Sequence, residues 1–178
     1  MKIPTCGYRR ARNARLTRAL FLKLIMYRLI NHNIDRVIAS LDHQLDIETY
    51  LSLLDRFNQG DIRQDILYHR EYRGYWRLNA ARLSPTYCSA YFDLMERLRA
   101  NQNMDITAVA RHLYQLPTHK NGRQSLQFAF ASKLIHTLDP HKPIYDSLVS
   151  DFYFFQPPAP NKELEFRLQA LSSFYNFL

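Results

Sequence analysis

Residues 126–155 read LQFAFASKLIHTLDPHKPIYDSLVSDFYFF, and the way this stretch breaks in two decides the fold. Its first part repeats apolar residues at helical spacing, Leu126, Phe130, Leu134 and Leu138, with Phe128 and Ile135 alongside. That spacing predicts a helix over 126–138. Pro140 and Pro143 end it, because proline lacks an amide donor and disfavours helix in the residue before it. Asp146 or Ser147 then caps a second helix running through Val149 and Phe152. Lys133 falls inside one helix and Asp146 at the start of the next. An amine and a carboxylate so placed suit a reactive pair. They also suit a solvent-facing lysine and an ordinary helix cap.

The rest of the chain fits around this hairpin. With 178 residues, 47% hydrophobic and 13% aromatic, it is long enough for a sizeable core and too apolar for disorder. Only four glycines leave little for a turn-rich β protein. The fold class is all-α, a single-domain multi-helix bundle over 1–178. Helices are expected from 9 to 31, broken at Asn31-His32-Asn33, then over 34–41 and from Asp46 to Gly60 with Ile47, Tyr50, Leu51 and Leu54 as its stripe. A short helix over 61–68 precedes a polar turn at 69–72. Ser84-Pro85 starts a helix to about Asn101, serine as cap and proline in the first turn. Asp105 opens another, and Asn161 caps a closing helix carrying Leu164, Leu168 and Leu171.

Charge is unevenly spread. Residues 1–28 hold Lys2, Arg9, Arg10, Arg12, Arg15, Arg18, Lys23 and Arg28 and no acid, which accounts for the whole net charge of +8. This basic N-terminal helix or arm (1–30) suits contact with phosphate, docking on a protein partner, or a solvated face. No apolar run reaches the ~18 residues of a membrane span, so no membrane partner is expected. Cys6 and Cys88 fit no disulfide framework, in keeping with a cytoplasmic protein. No metal-ligand spacing, glycine-rich phosphate loop or nucleophile elbow occurs, so neither metal nor cofactor is expected.

The order that remains is a leucine-proline turn at 116–123 with Gly122, an aromatic helix, Lys133, a proline loop, and Pro-Ile-Tyr-Asp at a helix start. Over about 74–155 this resembles the helix-hairpin-helix DNA glycosylases, particularly the 8-oxoguanine type, and the run FASKLIH…PIYDS is similar to a bacterial branch of that fold. The resemblance implies a DNA-binding enzyme that cleaves the N-glycosidic bond of a damaged or modified base, with lyase activity through a lysine Schiff base. It implies Lys133 as nucleophile, with Lys120 in reserve, and Asp146 as electrostatic partner. Thr118, His119, Lys120, Asn121, Gly122 and Arg123 would bind the DNA backbone, and Tyr75, Trp76 and Tyr145 would offer faces to an extruded base. The chain differs from the family pattern in having one hairpin glycine and in placing Lys133 ten residues beyond Arg123. The alternative is a non-catalytic helical module that binds nucleic acid or a protein partner, as in a mobile-element or defence system.

Overall fold

Short polar side chains placed one turn ahead of an apolar stripe set where the helices begin. Asp65, Ser84, Asp105 and Asp146 each accept a hydrogen bond from a backbone amide two or three residues on, filling a donor that the first helical turn leaves open. In a computed structural model that describes residues 28–29, 31–36, 38–39, 43–100 and 104–178, the helices are α1 (His43–Gln59), α2 (Ile66–Tyr75), α3 (Pro85–Leu98), α4 (Ile106–Tyr114), α5 (Phe128–Leu138), α6 (Ser147–Phe152) and α7 (Leu164–Tyr175). A 3-10 turn, Leu78–Ala81, links α2 to α3. Among the described residues the only β feature is an isolated antiparallel bridge, Leu83 to His119. The fold is all-α.

The chain divides into two units, Met1–Glu48 and Thr49–Leu178. In the first, the described residues between 28 and 39 are helical. Asn31, His32 and Asn33 are therefore helical where a break is expected, and the Asn33 side-chain amide donates to the Leu29 carbonyl at 2.8 Å. The expected basic helix up to residue 27 lies outside the described residues.

In the second unit α4 packs against α5 and α7, and α5 against α3. The core is rich in tyrosine: Tyr68, Tyr72, Tyr87 and Tyr91 are fully buried beside Phe92, Met95, Leu113, Leu134 and Leu168. Three of these phenols find partners. Tyr72 shares hydrogen bonds with Tyr91 (3.0 Å) and Thr137 (3.1 Å), Tyr91 donates to the Phe130 carbonyl (2.9 Å), and Tyr68 reaches the Met95 sulfur. The Tyr87 hydroxyl has no partner among the described residues.

Three expectations need correction. Residues 69–72 are not a turn but the middle of α2, where Tyr68 and Tyr72, four apart, form the buried face and Arg70 and Glu71 the exposed one. The preceding segment turns around Asp61 and Asp65 and becomes helical only at Ile66. On α1 the inward residues are Leu53 and Phe57, while Leu51 is exposed. Elsewhere α3 ends at Leu98 and α7 begins after Glu163, two residues beyond the expected cap.

Candidate functional site

Helix α5 is apolar on nearly every side, with Phe128, Phe130, Ala131, Leu134 and Ile135 buried. It nevertheless carries Ser132, Lys133 and Thr137 into the interior, each matched to a partner. Thr137 bonds the Lys133 carbonyl one turn back, at 2.9 Å. Ser132 accepts from the Tyr145 amide at 3.0 Å and donates to the Ala129 carbonyl at 2.9 Å. This serine fastens the residue before Asp146 to the residue before Lys133. Asp146 caps α6 by accepting from the Val149 amide at 2.9 Å, as its position ahead of an apolar run implies.

The Lys133 ammonium donates to the Trp76 carbonyl at 3.0 Å. Its Nζ lies 5.9 Å from the Trp76 ring centroid and 5.6 Å from that of Phe130. Burial among these rings pushes its pKa down from 10.5, the Asp146 carboxylate opposes that shift, and the Arg77 guanidinium reinforces it. Asp146 thus acts on Lys133 without touching it: no ion pair joins them among the described residues.

Trp76 sits in a cluster of aromatic rings. Tyr75 meets it edge-on at 4.8 Å, Tyr50 at 6.3 Å and His136 at 6.0 Å. Tyr50 also shares a 2.9 Å hydrogen bond with His136 Nε2, while His136 Nδ1 is 2.7 Å from the Lys142 carbonyl. A carbonyl only accepts, so Nδ1 carries the proton and Nε2 accepts from the tyrosine when the ring is neutral. Tyr50 is legible only as part of the helical stripe expected on α1, and His136 carries no local sequence signal; neither announces that the two meet.

Tyr145 does not belong with Tyr75 and Trp76. It is buried, its ring edge-on to Phe128 and Phe174 at 5.3 and 6.0 Å, so packing rather than access defines it.

The 116–123 turn is tightly built. The His119 amide donates to the Arg123 carbonyl (3.1 Å), the Gly122 amide to the His119 carbonyl (2.9 Å), and Asn121 Oδ1 accepts from the Arg123 amide (3.1 Å). Gly122 has φ +79°, a conformation that costs other residues about 1 kcal/mol or more. Thr118 is withdrawn from the candidate backbone-binding set: it is fully buried and its hydroxyl accepts from the Ser125 amide at 3.0 Å. His119 is half-buried with Nε2 3.2 Å from the Ser125 hydroxyl, whereas Lys120, Asn121, Gly122 and Arg123 are exposed. The Ser84 amide and hydroxyl bond the Thr118 and Pro117 carbonyls at 2.8 and 2.7 Å, holding the turn against the start of α3.

Among the described residues no group of three or more His, Cys, Asp or Glu side chains is placed to hold a metal ion, and no helix is long and apolar enough to cross a membrane. Comparisons of the chain with protein-family models, curated proteins and solved structures return no match.

Proposed function

We propose that the protein binds DNA and cleaves the N-glycosidic bond of a damaged or modified base, with Lys133 as nucleophile and Asp146 as its electrostatic partner. The observation that carries this reading is a buried amine between aromatic faces, bonded only to a backbone carbonyl and acted on by a carboxylate from the next helix. A lysine nucleophile must lose its proton, and desolvation favours the neutral amine. Its lone pair attacks the sugar C1′. The glycosidic bond breaks with its electrons going to the base, which takes up a proton. The attached nitrogen then loses a proton and its freed electron pair forms a C=N bond to C1′, while the C1′–O4′ bond breaks with its electrons going to O4′, which takes up a proton. Positive charge developing on the sugar is opposed by Asp146. Trp76 and Tyr75, both half-buried, offer aromatic edges and faces to an extruded base. Lys120 is the reserve nucleophile, being exposed on the turn.

Borohydride trapping on duplexes carrying abasic or modified sites tests the reading. A covalent protein–DNA adduct is expected from the wild-type chain and is lost in Lys133→Ala. An adduct that persists in Lys133→Ala and disappears in Lys120→Ala moves the nucleophile to the turn.

A specific contact favours a second reading, a non-catalytic nucleic-acid-binding module. Trp76 is the C-cap of α2, so the Lys133 ammonium sits where the helix dipole places negative charge and fills an open carbonyl. A lysine used only in this way predicts that Lys133→Met alters stability while no DNA ever becomes covalently attached.

A further inference from the structure

Trp76, which receives the Lys133 ammonium, is followed by a short segment with an unusual backbone. Arg77 (φ 57°) and Arg82 (φ 51°) both adopt the left-handed conformation, one on each side of the 3-10 turn Leu78–Ala81. Non-glycine residues pay for that conformation, and they hold it only where their surroundings fix it. Here the fixing is visible next door. Leu83 bridges His119, and the Ser84 amide donates to the Thr118 carbonyl, so the end of the segment is laced to the 116–123 turn.

Between the two lies an open groove of about 600 Å³ lined by Arg82, Leu83, His119, Lys120 and Asn121. Its walls carry a guanidinium, an ammonium, an imidazole and a carboxamide, and no carboxylate. Neither Arg82 nor Lys120 makes an ion pair among the described residues. A second groove, of about 510 Å³, shows the contrast. It is lined by Arg63, Asp93, Arg97 and His112 among others, and Arg63 is already engaged by Asp61. Of these two grooves, the first alone has basic side chains in its lining and no carboxylate.

We propose that this groove is a phosphodiester-binding site, with Arg82 and Lys120 on its two walls gripping the backbone of a nucleic acid strand. Arg82, invisible in the sequence, is the wall that the 116–123 turn lacks. A planar fork and a mobile point charge lining one groove suit the oxygens of a phosphodiester backbone. Because the segment 76–82 joins Arg82 to the Trp76 carbonyl, a strand held here is fixed to the same short stretch that holds Lys133. The proposal rests on the nucleic-acid-binding half of the proposed function and is independent of its chemistry.

The test is fluorescence anisotropy of the full chain with a labelled oligonucleotide, over a salt series. Arg82→Gly removes the charge while suiting the left-handed backbone, so folding is spared. Arg82→Gly and Lys120→Ala are each expected to weaken binding about tenfold and to flatten the dependence of log affinity on log salt by about one. Arg70→Ala, an exposed arginine on α2 outside the groove, is expected to change neither. Equal effects of Arg82→Gly and Arg70→Ala, or no binding by the wild-type chain at low salt, overturn the site. Inorganic phosphate bound by the wild-type chain as tightly as the oligonucleotide, and lost equally in Arg82→Gly, would assign the groove to a free anion and overturn the phosphodiester. Trapped adduct read in Lys133→Ala and oligonucleotide binding read in Arg82→Gly are separate measurements, so the chemistry and the groove fail independently.

Discussion

The phenol of Tyr91 on α3 donates to the backbone carbonyl of Phe130 on α5 across 2.9 Å, and shares a second hydrogen bond with Tyr72. This chain runs behind Lys133, through Thr137 to the Lys133 carbonyl. Removing the Tyr91 hydroxyl leaves Tyr72 short of a buried partner, so Tyr91→Phe is expected to cost about 1–2 kcal/mol. Tyr87 is equally buried, yet its hydroxyl meets no partner among the described residues. Tyr87→Phe removes a desolvated group that gains nothing from folding and is expected to be neutral or slightly stabilising. Urea midpoints of the two variants, measured side by side, decide whether the hydroxyls differ as their surroundings do.

The lowered pKa of Lys133 sets a sign for stability against pH. Where the folded value lies below the unfolded one, the unfolded chain holds more protons between them, and stability rises with pH through that window. The burial penalty is thus present in full below the folded pKa and is relieved as pH climbs towards 10.5. Buried Tyr72 and Tyr91, whose pKa values burial raises, act oppositely in alkali. The lysine contribution is read from the difference between wild type and Lys133→Met. That difference is expected to shift in favour of wild type from neutral pH to mild alkali. A flat difference would place the ammonium in contact with water.

Asp146 serves as helix cap and, in the proposed chemistry, as a charge, and substitution separates the two. An asparagine side chain in its place would still accept from the Val149 amide, so Asp146→Asn is expected to hold stability within about 0.5 kcal/mol while reducing trapped adduct. Asp146→Ala loses the cap and about 1 kcal/mol as well. Ser132→Ala strands the buried Tyr145 amide, at a cost of about 1–3 kcal/mol, and loosens the tie between the start of α6 and α5. Adduct yields normalised to folded protein read the positional effect apart from the loss of stability.

Arg99 closes the far end of α1. Its guanidinium bonds the Phe57 and Gly60 carbonyls, lies 3.7 Å from the Phe57 ring centroid, and pairs with Glu96, which also accepts from the Ile62 amide at 2.8 Å. A lysine cannot serve these partners at once, so Arg99→Lys is expected to lower stability by about 1–2 kcal/mol, the partial exposure of the pair limiting the loss. The Arg99 hydrogen bonds hold the Glu96 carboxyl below its ordinary 4.5. Its stabilisation is therefore present above pH 4.5 and fades as pH falls through the lower folded value. Glu96→Gln is expected to flatten that acid limb in a urea titration.

What is legible in the sequence is local. Ser84, Asp105 and Asp146 are readable as caps because each bonds an amide two or three residues away, and the proline stop after Leu138 follows from one missing donor. The placement of Lys133 within a helix comes from the apolar spacing around it. The partner of its ammonium does not, since Trp76 lies 57 positions away and meets it only when α2 and α5 come together. Residues 69–72 resemble a turn because Arg70 and Glu71 crowd the motif, although Tyr68 and Tyr72 already have helical spacing. Arg77 and Arg82 carry no signal at all: arginine is not a residue whose type announces a left-handed backbone, and only the surrounding contacts impose it. Thr118 and Tyr145 look available for contact and are interior, because burial depends on what packs over a segment rather than on its own composition.

Trp76 is the sole tryptophan of the chain, and its ring neighbours Lys133, His136, Tyr50 and Tyr75. Indole emission from this protein is consequently a private report from a single locality, with no background to subtract. Whatever neutralises the lysine, displaces the imidazole or slides a nucleobase against the indole will register as a change in its brightness or colour, so occupancy can be watched in real time on unlabelled material.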